Sequence, residues 1–428
     1  MTIGGMRFDL SADATPSRRW MRFAHPWVAV FLAGCTTGPI PTSIDAVAEG
    51  YVRVTLQLAQ HDPSLVEGWR GETTWRPGPR VPVAPLLRRI ESLQHDLGAS
   101  SDPATADRHA YLAAQLAALE WYAQRLLGRS GGFDEEAMRT FGRVPTVPAD
   151  DHTRAILAAV ARELPGSAPL ASRYADFKRR YAVNPAKAEA LMRAALDACR
   201  TATRHSYELP PDESVELVFA PGPEWDGYAQ YLGSHRTRIS INEHAALDVS
   251  RALRLACHEG YPGHHLQFLL IDDALVHRRR WPEFELAPAF GRHLLITEGA
   301  AEAAADLALP FAARVAIYRD ILLPLAGLPS QAAVTIARVD DLVAALQPSA
   351  VAILRDYLDD RLTQAAAAER LRVDALTPDP DALLAFAERR RARVSAYVLG
   401  REVVMSAIGT GGPAAIARLF TERPFAVQ

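Results

Sequence analysis

The residues most able to do chemistry lie in one short stretch, Ala256-Cys257-His258-Glu259-Gly260-Tyr261-Pro262-Gly263-His264-His265-Leu266-Gln267. Imidazoles with a carboxylate suit Zn2+, and a glutamate directly after a ligand histidine can point at metal-bound water instead of the metal. That is the logic of the His-Glu-x-x-His peptidase motif. The spacing here departs from it, because Pro262 stands four residues after His258 and the next histidines follow at 264 and 265. On a regular helix a six-residue step turns by about 600° and rises about 9 Å, which takes the two rings off a common face. Pro262 cannot donate to the His258 carbonyl, however, and Gly263 tolerates unusual dihedrals. A bulged or broken turn at Pro262-Gly263 would bring His264 back toward His258, so an irregular helix is expected. His265 competes with His264 for the ligand role, since adjacent side chains cannot both face one ion.

These residues need a scaffold. Alanine and leucine dominate, and apolar residues recur every three or four positions, which predicts a mainly α-helical protein. Helices are expected over 44–59, 86–97, 105–127, 133–141, 155–164, 173–181 and 187–203, with the Pro- and Gly-rich passage 69–85 as a loop. Further helices are expected over 292–307, 314–321, 331–346 and 380–405, the last opened by Asp379 as N-cap and Pro380 at its first position. Residues 215–219 and 238–241 alternate apolar and polar, which predicts two strands around an aromatic loop carrying Trp225, Tyr228 and Tyr231. That places a small β-sheet beside the metal helix.

With Lys+Arg 47 against Asp+Glu 50, the formal charge of −3 gives no pull toward nucleic acid. The three cysteines, Cys35, Cys199 and Cys257, lack short paired spacings, so a disulfide-built scaffold is not expected. In an oxidising space Cys199 and Cys257 must be buried or paired, with burial favoured by the neighbours Leu196, Ala198 and Ala256, and Cys257 should point away from the metal.

The segment 256–267 resembles the signature of a bacterial family known as domain of unknown function 885, regarded as helical zincin-like metallopeptidases. The resemblance extends through 51–68 with His61-Asp62-Pro63, and through 225–242 with Tyr231-Leu232-Gly233 and Arg236-Thr237-Arg238-Ile239. Thr297-Glu298-Gly299, 306–310 and Ala396-Tyr397-Val398-Leu399-Gly400 continue it. It implies that His258, His264 and Glu298 hold Zn2+, that Glu259 is the general base, and that residues 44–428 form one large helical zincin-like metallopeptidase domain. That domain would be a single body or two intimately packed lobes with the metal between them.

Zinc held by two imidazoles and a carboxylate leaves a position for water and lowers its pKa. The expected reaction is therefore hydrolysis of a peptide or small amide, with Glu259 taking the water proton. Tyr397 is the candidate donor to the developing oxyanion, or a core tyrosine near Gly400. Glu298, Glu302 and Asp306 recur every four residues and share a helix face, so one could ligate and another could hold a ligand histidine through its second nitrogen. Arg236 and Arg238 share a strand face and would either bind a substrate carboxylate or pair with surface acids. Tyr231 is a further candidate for the substrate pocket. Two alternatives remain open, a zinc hydrolase of non-peptide amides or esters and a non-catalytic binding or structural lipoprotein.

Arg18, Arg19 and Arg22 precede an apolar run from Trp27 to Leu32 and then Ala33-Gly34-Cys35. This is the order of an export signal, and Leu-Ala-Gly-Cys resembles the bacterial lipoprotein signal. Residues 1–34 are read as a signal peptide, Cys35 as the lipidated residue that anchors the chain to a membrane, and 35–43 as a tether. The alternative is a cytoplasmic chain with a chance cysteine. No later segment offers the roughly 18 apolar residues that a membrane span needs.

Overall fold

The computed structural model describes residues 43–98, 103–221, 226–409, 412–422 and 425. The expected signal segment, Cys35 and Trp225 lie outside the described residues. The fold is mainly helical with two small sheets. Helix α1 (Ile44–Leu58) begins where the Ser43 hydroxyl accepts from the Ala46 amide, and strand β1 (Val66–Trp69) follows. Then come α2 (Val83–Gly98), α3 (Ala106–Leu126), α4 (Phe133–Phe141), α5 (Asp150–Glu163), α6 (Leu170–Arg180) and α7 (Pro185–Thr203). Asn184 caps α7 and Pro185 occupies its first turn, where a missing amide hydrogen costs nothing.

The passage expected to hold two strands holds three: β2 (Ser214–Ala220), β3 (Gly227–Gly233) and β4 (Arg236–Asn242). Central β4 pairs in parallel with β2 and antiparallel with β3. Tyr228 and Tyr231 are therefore strand residues, not loop residues. Aromatic side chains suit a pleated, half-buried surface as well as a loop, and composition did not separate the two. The short pair of β1 with β5 (Leu286–Pro288) was not legible in the sequence, since it joins segments more than two hundred residues apart.

After β4 come α8 (Val249–Leu255), a π turn (Ala256–Gly260), α9 (His264–Ile271) and α10 (Gly291–Ala308). The C-terminal part continues through α11 (Phe311–Ile317), α12 (Leu323–Ala326), α13 (Ala333–Ala344), α14 (Gln347–Leu358), α15 (Gln364–Asp374), α16 (Pro380–Arg390), α17 (Ala396–Ile408) and α18 (Gly412–Thr421). The Asp379 carboxylate caps α16 by accepting from the Ala382 amide. The single helix expected over 380–405 is two, separated by a 3-10 turn over Arg391–Ser395 in which Arg391 has φ 47°.

Helix α10 is the element that two cores share. Its Leu294, Leu295, Ile296 and Ala300 pack with α1, α2, α3 and α17. One turn on, Ala304 and Ala305 pack with α7, β4 and α8. A helix apolar on so much of its circumference is a buried one. Against it α17 approaches with no side chain between: a Cβ on Gly400 would lie 2.1 Å from the Leu295 carbonyl oxygen, and one on Gly299 would lie 2.1 Å from the Gly400 carbonyl carbon.

Cys199 of α7 and Cys257 of the π turn are both buried, and they form a disulfide. Both the favoured burial and its alternative, pairing, are found. Their separation of 58 residues hides the pair in the sequence, whereas the fold sets their Cα atoms 5.4 Å apart. Cross-linking a loop of that length stabilises by roughly 4 kcal/mol on chain-entropy grounds.

Gly400→Ala is expected to lower the unfolding free energy in urea by about 1–3 kcal/mol, the usual cost of overpacking. Gly98→Ala, where a Cβ meets nothing within 4 Å, should change it little. Equal costs at the two positions would refute the close helix contact.

Candidate functional site

Asp248 caps α8 by accepting from the Ser250 and Arg251 amides, which fixes where the helix enters the site. The helix widens into the π turn over Ala256–Gly260 and then stops, the Tyr261–Pro262 peptide is cis, and α9 starts afresh at His264. The Gly263 amide donates to the Cys257 carbonyl at 3.0 Å. A Cβ on Gly263 would stand 1.8 Å from the His258 carbonyl oxygen, so only glycine fits this turn as built. The break turns His264 back over His258, with ring centroids 4.8 Å apart and planes at 82°.

Buried α10 delivers Glu298 to the same place. Its Oε2 lies 3.4 Å from His258 Nε2 and 3.7 Å from His264 Nε2. The three ligand atoms fall within 4.8 Å of one another, and Glu298 Oε2 is buried without a hydrogen-bond partner. Donor atoms sharing one small divalent ion stand roughly 3–3.5 Å apart, given bonds of about 2.1 Å in a tetrahedral arrangement. The residues thus fit a cation in spacing and in donor type. One turn further along α10, Glu302 Oε1 lies 3.4 Å from His258 Nδ1, which orients that ring from its other side. Gln267 ties α9 to α10 by donating to the Thr297 carbonyl at 3.1 Å.

Electrostatically the site has an excess of carboxylates. Burial alone would depress the His258 imidazole, but Glu298, Glu259 and Glu302 outweigh it and raise its pKa to about 10. The buried Glu298 carboxyl is held far below its ordinary range by the two imidazoles. Burial pushes the Glu259 carboxyl up, although it accepts from the Ala229 amide of β3. Glu67 of β1 is also raised, by burial and by the Glu298 charge. By surface area its side chain is exposed. The Tyr228 hydroxyl donates to the Glu67 carbonyl at 3.2 Å. Burial, together with Glu298, Glu67 and Glu302, raises the Tyr397 hydroxyl well above 10, so Tyr397 stands beside these acids on α17.

Other sequence candidates lie elsewhere. His265 is fully buried, with Nδ1 2.7 Å from the Thr237 hydroxyl and Nε2 3.1 Å from Glu213, and does not join the cluster. Because Thr237 of β4 faces α9, strand alternation turns Arg236 and Arg238 to the opposite face. There Arg238 pairs with Glu216 across the sheet at 3.0 Å, the surface-acid reading of that residue. Tyr231 donates to Asp272 at 2.8 Å and stacks on Phe268 with centroids 5.5 Å apart, so it holds the sheet to α9. Asp306 is bound by Arg254, Arg314 and Arg401 and, with Glu302, lines a cavity of about 420 Å3. Glu67 and Arg390, whose charge also reaches Tyr397, escaped the sequence reading. Neither sits in a spacing that marks it out, and β1 itself was not legible.

No family model matches the chain, and no curated protein matches it. Among solved structures it is similar to one provisionally described as a lipoprotein from Colwellia psychrerythraea, at 14% identity and TM-score 0.45, covering 87% of this chain and 67% of that one. Another, provisionally described as a lipoprotein of unknown function from Shewanella oneidensis, has 10% identity and TM-score 0.44, covering 90% and 72%. The expectation of a zinc metallopeptidase acting on a peptide or small amide is corrected on these findings. Pro262 stands where the second histidine of the peptidase motif would be, and no family model supports a peptidase. The assignment of Zn2+ as cofactor falls with it, because His258, His264 and Glu298 by themselves single out no metal.

Buried Glu213 anchors the far side of α9. Burial alone would raise its carboxyl, but hydrogen bonds from His265, Tyr261 and Arg200 and the Arg200 charge hold it at about 2. A carboxyl lowered on folding stabilises fully above its unfolded pKa of roughly 4.5 and loses that contribution as pH falls toward the folded value. Melting temperature is therefore expected to fall between about pH 4.5 and 2, and Glu213→Gln should flatten that part of the profile. An unchanged acid limb in the variant would exclude Glu213 as its source.

Proposed function

We propose that this chain is an exported, lipid-anchored binding protein that holds a divalent transition-metal cation and does not turn over a substrate. The observation that carries the cation site is the convergence of two imidazole Nε2 atoms on Glu298 Oε2, a buried carboxylate oxygen with no hydrogen-bond partner. Glu259, Glu298 and Glu302 together crowd the two imidazoles with more negative than positive charge, and a cation held by the donors would offset that excess. Glu302 would orient His258, and Glu259 and Tyr397 would line the open side and exclude competing ligands. A bound cation would supply a Lewis-acidic position on the cleft.

Export is supported by the Leu-Ala-Gly-Cys stretch ending at Cys35 and by the Cys199–Cys257 disulfide, a bond that persists in oxidising compartments. Lipidation of Cys35 would provide the membrane anchor. Among the described residues no helix is long and apolar enough to cross a membrane. The motif likeness to the domain of unknown function 885 family belongs to this proposal as kinship of scaffold.

Protein stripped of metal and dialysed against a panel of divalent transition cations is expected to bind one equivalent and to gain melting temperature. Glu298→Gln and His264→Ala should abolish the uptake. Gly263→Ala should weaken it, although it removes no donor, because the new Cβ displaces the His258 carbonyl. Absence of any uptake would remove the cation reading. Cleavage of a peptide or ester library that is lost in Glu259→Gln while cation is retained would overturn the non-catalytic one.

A further inference from the structure

The chain leaves α9 through a second π turn, Asp272–Arg278, and the run His277-Arg278-Arg279-Arg280 that closes it is exposed, followed by half-buried Trp281. We propose that Arg278, Arg279 and Arg280 are the face that this protein lays on an anionic phospholipid surface. The proposal rests on the lipid anchor proposed above.

The three guanidiniums are short of counter-charge. Arg278 donates to the Asp273 carbonyl at 3.2 Å, and Arg279 donates to the Thr421 and Glu422 carbonyls at 2.9 and 3.3 Å. These are neutral oxygens, and among the described residues none of the three arginines forms an ion pair. The acids around them are engaged elsewhere. Asp272 accepts from Tyr231 and lies 3.3 Å from His277 and 3.7 Å from Arg70, while Asp273 lies 3.0 Å from His235. Asp45 and Glu283 share Arg108, which leaves one negative charge against three positive ones. Exposed Glu422 is matched by exposed Arg418 one turn earlier on α18. An exposed cation bound only to carbonyls keeps its attraction for an anionic membrane.

The anchor would rise from the same side of the protein. Asp45, in the first turn of α1, pairs with Arg108, whose guanidinium lies 4.8 Å from the Trp281 ring. The Arg279 guanidinium lies 4.7 Å from that same ring, so the start of α1 and the arginine run meet at one side chain. Residues 35–43 reach at most roughly 30 Å when extended. A lipid on Cys35 would therefore hold Arg278–Arg280 near the bilayer and make their encounter with it intramolecular. Tryptophan beside the run suits the headgroup region, where an amphipathic ring is favoured.

The test sediments the full-length chain carrying Cys35→Ser, so that no lipid holds it, with vesicles of phosphatidylcholine alone or mixed equally with phosphatidylglycerol. Polyglutamate is titrated in parallel. Vesicles containing phosphatidylglycerol should bind the chain in a salt-sensitive way. Arg278→Gln, Arg279→Gln and Arg280→Gln together should weaken that binding roughly a hundredfold, about fivefold for each charge. Lysine at the same three positions should keep it, because the attraction is one of charge and not of paired donor geometry. Residues 1–34 are common to every variant and cancel from the comparison, and melting temperature checks that each variant is folded. Unchanged binding by the glutamine triple overturns the proposal, as does equal binding to phosphatidylcholine. Saturation by polyglutamate with none by vesicles also overturns it and assigns the run to an acidic protein. Mass spectrometry of the unsubstituted chain reads lipidation of Cys35 separately. Lipid on Cys35 without vesicle binding by the Cys35→Ser chain refutes this surface alone, and vesicle binding without lipid refutes the anchor alone.

Discussion

The close contact of α10 with α17 is the constraint on which the site depends. Gly299 and Gly400 let two backbones touch where any side chain would hold them apart. That contact seats α10 deep enough for Glu298, the residue before Gly299, to be buried among imidazoles instead of solvated. The same contact brings Tyr397, three residues before Gly400, beside the acids of α10. Stability and site geometry are thus one packing problem, because dense interiors transmit small displacements.

A second constraint comes from the other side. His258 and Glu259 lie on a π turn, and His264 begins a new helix, so their relation is set by three irregular residues rather than by helical periodicity. The disulfide from Cys257 to α7 clamps this turn at its start, and the His265–Glu213–Arg200 chain clamps the helix that follows. Neither clamp touches the donor atoms. Both restrict the backbone that presents them, which lowers the entropy lost when the donors are brought together.

The charges around the imidazoles are unbalanced. Glu259, Glu298 and Glu302 crowd the imidazoles and leave the interior short of positive charge. Arg390 and Arg393 reach the edge of this group, where their charge acts on Glu67 and that of Arg390 on Tyr397. Like charges held together at such proximity cost free energy in the free protein, and the cost falls when a counter-charge binds.

Patterns local in the chain were readable from the amino acids alone: most of the helices, the cap at Asp379, and the break that Pro262 and Gly263 impose on one of them. These follow from backbone sterics and from side chains acting within four residues. Histidine and glutamate types marked the segment as chemical, yet the peptidase reading drawn from them and from the family likeness finds no matching family model. What depended on distant residues was decided by the tertiary structure. The Cys199–Cys257 bond, the pairing of β1 with β5, the third strand of the sheet and the turning away of Arg236 and Arg238 all rest on contacts between remote segments. So does the choice between His264 and His265, neighbours of identical chemistry. Thr237 and Glu213 draw one ring into the core, and the broken turn leaves the other facing Glu298.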